Sequence, residues 1–168
     1  GREIVATEDG TAPVSYSASP VPNERFHVLP RPMPTELVEE VIDYYGNAGG
    51  RMLEAGLDGV EIVGSHGYLP AQFLNPGVNQ RDDKYGGSFE NRLRFVREVA
   101  ANIRSKTNDN FVVGMRLSGN ELSPDGLSAD DMLEICQALA QDGVLDYFSV
   151  VAGSSSTLAG SVHIVPPM

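Results

Sequence analysis

A chain of 168 residues, 41% hydrophobic and 21% charged, has the length of one packed domain and the composition of a globular protein. Twelve basic against 23 acidic side chains leave a net charge of −11, which argues against nucleic-acid and anionic-membrane partners. One cysteine excludes an internal disulfide and a cysteine-built metal or iron–sulfur site within the chain. No apolar run nears the roughly 20 residues of a membrane span, and the opening GREIVATEDG has no secretory h-region; a cytoplasmic location is the expectation.

Residues 1–34 hold six of the eleven prolines and read as an irregular excursion with at most a short strand or hairpin. Residues 35–168 carry the periodic patterns and form the second unit. Thr35 is placed to cap a helix, with Glu36, Glu39 and Glu40 near its positive end. Leu37, Val41, Tyr44 or Tyr45, Ala48, Met52 and Ala55 recur at helical spacing, and Gly56 stops the run. Gly49-Gly50 lies inside it, a weakness for a helix unless it serves close packing.

A short strand, Asp58–Gly64, follows, then a loop of some twenty residues. Ser88 caps a second helix from Phe89 to about Lys106, with Leu93, Val96, Val99, Ala100 and Ile103 on one side. Phe111–Ser118 is a second strand, Ser128 caps a third helix from Ala129 to Gln141 ended by Gly143, and Asp146–Ala152 is a third strand. The alternation, with helices long enough to be crossovers, implies parallel strands.

Parallel strands offer an open doubly wound sheet or a closed (β/α)8 barrel. No G-x-G-x-x-G turn follows any strand, which disfavours a dinucleotide-binding half. A full barrel needs about 250 residues, so three strands are a small open sheet or part of something larger. The strand faces bear on the choice. In the second strand Phe111, Val113, Met115 and Leu117 share one face, while Val112, Gly114, Arg116 and Ser118 share the other. In the first, Val60 and Ile62 oppose Gly59, Glu61 and Val63. A greasy face suits helices; a face with Glu61 and Arg116 suits a barrel interior near its catalytic end.

The run Ala55-Gly56-Leu57-Asp58-Gly59-Val60-Glu61-Ile62 begins a long ordered set of motifs. Gly67-Tyr68-Leu69, Gln72-Phe73-Leu74-Asn75-Pro76 and Asn79-Gln80-Arg81-x-Asp83-x-Tyr85-Gly86-Gly87-Ser88-x-x-Asn91-Arg92-x-Arg94-Phe95 complete it. This set closely resembles the Old Yellow Enzyme family of FMN-dependent oxidoreductases (NADH:flavin oxidoreductases), which are (β/α)8 barrels. The resemblance is clearest over residues 34–119. It implies a partial TIM barrel, strands four to six of the parent, with Gly1-Arg2 as the tail of the third-strand segment. Within the family, Gly64-Ser65-His66-Gly67-Tyr68-Leu69-Pro70 resembles the branch of trimethylamine dehydrogenase and 2,4-dienoyl-CoA reductase. Many ene-reductases of the family carry His where this chain has Val63, and trimethylamine dehydrogenase carries Tyr there. Oxidative N-demethylation therefore stands beside enone reduction. Parents in that branch often hold an iron–sulfur cluster and a second nucleotide, neither encoded here.

By the same resemblance Arg116 contacts the flavin, His66 and Tyr68 are the catalytic pair, and Val63 lines the substrate pocket. Arg116 is suited to its role because a guanidinium stabilises the charge that develops near flavin N1 and the C2 carbonyl on reduction. Its bland reading is an ion pair with Glu61 that fills a barrel, and both hold if Glu61 orients Arg116. His66 can bind or deprotonate a substrate; Tyr68 resembles the family's proton donor, unneeded in an amine oxidation. Their bland readings are a hydrogen-bonded turn histidine and a packed tyrosine.

Arg81, Asp83, Asn91, Arg92 and Arg94 are expected to brace the long loop, with Tyr85-Gly86-Gly87 as a tight turn. A phosphate cradle at Gly86-Gly87 is the lesser reading, since barrels of this kind usually hold phosphate after strands seven and eight. His27 and His163 read as solvent-facing, Cys136 as core beside Ile135 and Leu139, and Asp130, Asp131 and Glu134 as a solvated face rather than a metal site. The leading expectation is an FMN-dependent oxidoreductase acting on a small organic substrate; the alternative is a non-catalytic half-barrel scaffold. Open strand edges further predict a homo-oligomer or self-associating half-barrel.

Overall fold

A computed structural model describes residues 14–22 and 29–153; His27, His163 and Gly1-Arg2 lie outside them. The proline-rich excursion holds short strands, as expected, paired in parallel rather than as a hairpin. β1 (Tyr16–Ser17) pairs with β2 (Arg31–Pro32), Tyr16 opposite Arg31.

α1 (Thr35–Glu54) begins one residue differently from the expectation. Pro34 occupies the cap position and Thr35 lies in the first turn, where its Oγ1 donates to Asp83 Oδ2 at 2.8 Å. The buried stripe is shifted by one position as well. Val38, Ile42, Gly46 and Gly49 are buried, whereas Tyr44 and Met52 face outward. The two glycines explain the shift. A Cβ at Gly49 would stand 2.9 Å from Ile103 Cγ2, and one at Gly46 would stand 1.8 Å from Asn102 Oδ1. A hydrophobicity count passes over glycine, yet here glycine lets α1 press against α3 (Phe89–Ser105).

α3 and α4 (Ala129–Gln141) begin where the sequence places them. Ser88 accepts from Asn91 N, and Ser128 closes a capping box with Asp131. Gly143, with φ 66°, takes the left-handed conformation just past α4. The loop after the first long strand holds an unforeseen six-residue helix, α2 (Leu69–Leu74), with proline in its first turn.

β3 (Gly59–Gly64), β4 (Val112–Asn120) and β5 (Tyr147–Ala152) form a parallel sheet in the order β3-β4-β5. No barrel closes among the described residues. The face with Ile62, Val113, Met115 and Leu117 is buried under the helices. There Phe73 stacks on Phe95 at 4.2 Å, flanked by edge contacts from Tyr45 and Tyr85. Ile135 and Leu139 are buried in this core, but Cys136 is only half buried. The expected brace is present. Arg81 pairs with Asp83 and donates to the carbonyls of Ala18 and Met33, tying β1 and β2 to the loop. Arg92 donates to Leu74 O and Gly87 O, and Arg94 to Lys84 O.

Candidate active site

Strand alternation and register build the second face of the sheet. Val63 is the register partner of Arg116, and Arg116 of Ser149. One step toward the strand starts, Glu61, Gly114 and Tyr147 form a row across β3, β4 and β5. No helix among the described residues covers this face: Val63 is 42% exposed, as is the Arg116 side chain.

Arg116 NH2 meets Glu61 Oε1 at 2.9 Å, so the ion pair proposed from the faces is formed. Arg116 Nε is buried yet has no hydrogen-bond partner among the described residues. A buried donor left unmade costs free energy, so the Nε–H suits an acceptor beyond the described residues. Glu61 Oε2 accepts from the Tyr147 hydroxyl at 3.2 Å. Partial desolvation and the Glu61 carboxylate push the Tyr147 phenol up.

His66 lies just beyond β3 with φ 56° and is followed by Gly67 at φ 75°. A left-handed histidine costs roughly 1 kcal/mol or more, and such strain clusters at functional sites. The turn is held at several points. His66 N donates to Ser118 Oγ at 3.2 Å, Ser118 Oγ donates to Gly153 O at 3.0 Å, and Gln72 Nε2 donates to Gly67 O at 2.7 Å. Thus β3, β4 and the end of β5 meet under His66. Tyr68 is the cap residue of α2 and is 47% exposed. The structure ties Val63, Arg116 and His66 to one sheet face through register and Ser118. Tyr68 meets the turn through its backbone, its N–H donating to Ser65 O at 3.1 Å and its carbonyl accepting from Gln72 N at 3.0 Å. Alternation along β4 alone already set Gly114 and Ser118 on the face of Arg116, without giving either a role. Tyr147 was passed over, since its place in the row is readable only once β5 is in register.

A parallel sheet with crossover helices, one open charged face and a left-handed turn beyond a strand C-terminus has the arrangement of part of a (β/α)8 barrel. The NADH:flavin oxidoreductase / NADH oxidase family model matches residues 2–156, and the chain belongs to that family. It is 42% identical over 133 residues to an N,N-dimethylglycine/sarcosine dehydrogenase of Chromohalobacter salexigens, covering 79% of this chain and 19% of that protein. A multifunctional alkene reductase/demethylase of Caballeronia cordobensis is 38% identical over 151 residues, covering 89% of this chain and 22% of that protein. Among solved structures, a 2-naphthoyl-CoA reductase superposes with a TM-score of 0.81 at 30% identity, covering 88% of this chain and 22% of that one. Histamine dehydrogenase from Rhizobium sp. 4-9 gives 0.76 at 30%, covering 84% and 21%. The chain therefore spans about a fifth of the length of these relatives.

Proposed function

We propose that this chain is the central barrel segment of an FMN-dependent oxidoreductase acting on a small organic substrate, an N-methylated amine or an enoyl compound. One observation carries the reading: a guanidinium, held by a carboxylate, stands on the uncovered sheet face with a buried N–H unpaired among the described residues. FMN, when bound, supplies reversible hydride uptake. Arg116 would hold its N1 and C2-carbonyl edge, and a fixed cation there favours the reduced, anionic form. His66, rigidly placed beyond β3, binds the substrate's polar group or takes its proton. Val63 offers an apolar wall and no hydrogen bond. For an enoyl substrate the Tyr68 hydroxyl delivers a proton to the carbon opposite the hydride; for an amine no such proton is needed and Tyr68 shapes the pocket.

The amine reading draws support from the 42% identity to a dehydrogenase of N-methylated glycines, the enoyl reading from the likeness to a naphthoyl-CoA reductase. Arg116→Met in the complete enzyme removes the charge at similar length. The flavin potential then falls and reduction by substrate slows, by roughly tenfold to a hundredfold for one charge-assisted hydrogen bond. Stopped-flow and potentiometry read both, and an unchanged potential rejects the assignment.

A further inference from the structure

Arg116 is held by a device built from all three strands. Glu61, Gly114 and Tyr147 share one row of the sheet, with β4 in the middle. The Tyr147 hydroxyl nevertheless crosses β4 to reach Glu61 Oε2 at 3.2 Å. It crosses because the residue between is glycine: a Cβ at position 114 would lie 2.1 Å from Tyr147 Cζ, far inside carbon–carbon contact. The other Glu61 oxygen receives Arg116 NH2 at 2.9 Å. The carboxylate is thus gripped from β5 and passes its orientation to the guanidinium on β4. The phenol, pushed up by desolvation and by Glu61, keeps the proton that it donates.

Resting on the flavin reading above, we propose that Tyr147 and Glu61 are positioning residues for the cofactor site. The Tyr147 hydroxyl orients Glu61 and draws charge from it, which leaves Arg116 fixed and more fully positive toward the flavin, and Gly114 provides the clearance. Two consequences share one sign. Losing the tyrosine hydroxyl returns negative charge to the partner of Arg116, and it loosens the guanidinium. Both make reduced, anionic flavin less stable.

The test is the midpoint potential of the complete flavin-loaded enzyme, read by equilibration with a reference dye, in Tyr147→Phe, Arg116→Met and the double variant. Tyr147→Phe lowers the equilibrium constant for two-electron reduction about threefold to tenfold, the effect of one modest hydrogen bond; tenfold is about 30 mV for such a couple. In the Arg116→Met background the same change has no effect, because the group it acts through is gone. Gly114→Ala, which displaces the ring, reproduces Tyr147→Phe. A Tyr147→Phe enzyme with unchanged potential overturns the inference, as does an equal drop in both backgrounds. An Arg116→Met enzyme with unchanged potential overturns the flavin reading and this inference with it. A drop in Arg116→Met alone keeps the reading and removes only the positioning device.

Discussion

Asp83 shows what a single residue of the brace contributes. The Arg81 guanidinium holds its carboxyl well below the usual carboxylate range, at about 2 against 3.8, helped by the Thr35 hydroxyl and the Tyr85 N–H and opposed by desolvation. A depressed folded pKa means that the unfolded chain binds the proton more tightly. The stabilisation is therefore fully present above about 3.8 and is lost as pH falls toward about 2. Denaturant melts between pH 5 and pH 2 are expected to show a steep loss in the native chain and a shallower one in Asp83→Asn; parallel curves exclude the assignment. Tyr68 is the residue that separates the two substrate readings. Tyr68→Phe deletes one hydroxyl on an exposed ring. In the complete enzyme, on the proposed reading, it is expected to slow enone turnover while flavin reduction continues, and to change amine oxidation little. Normal enone turnover in the variant removes the proton-donor role.

The elements differ in how far sequence patterns reach. The starts of α3 and α4 were legible to the residue because they are local chemistry: a serine oxygen accepting an N–H three residues on. The parallel order followed from helix lengths, and the charged face from alternation. The buried stripe of α1 was not legible, since it runs through Gly46 and Gly49 and depends on what α3 presents. α2 was hidden by its six residues and its proline. Tyr147 was hidden because a contact from β5 to β3 needs the register of three strands. The α1 correction is testable at adjacent residues. Gly50 has room for a methyl, its nearest neighbour being Lys106 O at 3.4 Å, so Gly50→Ala stabilises by about 0.5–1 kcal/mol through helix propensity alone. Gly49→Val drives side-chain carbons into Ile103 and costs about 1–3 kcal/mol by overpacking. Thermal melts that rank the two variants the other way contradict the α1–α3 packing.

On the scale of the whole molecule, the described sheet ends on β3 and β5 with an outer edge each. Unpaired strand edges recruit other strands, and the barrel face offers no compensation. Val63 and Tyr147 are exposed there, and Val150, on the opposite face of the edge strand β5, is 66% exposed. In a complete barrel such positions gain neighbours from further strands and helices. The 168-residue chain by itself is therefore expected to self-associate, by edge pairing or by joining two half-barrels, and light scattering across a concentration series should show species larger than 18.0 kDa. Flavin affinity follows from the same geometry. On the proposed reading the described residues offer Arg116 to the flavin, whereas barrels of this kind usually hold phosphate at the loops after strands seven and eight. One guanidinium is worth only a few kcal/mol, against the roughly 8 kcal/mol that micromolar binding requires. Titration of FMN into the chain, followed by flavin fluorescence, should show binding weaker than micromolar. Micromolar or tighter binding would mean that copies of the chain complete one another's site, and a concentration-independent monomer would mean that both edges are closed by contacts other than strand pairing.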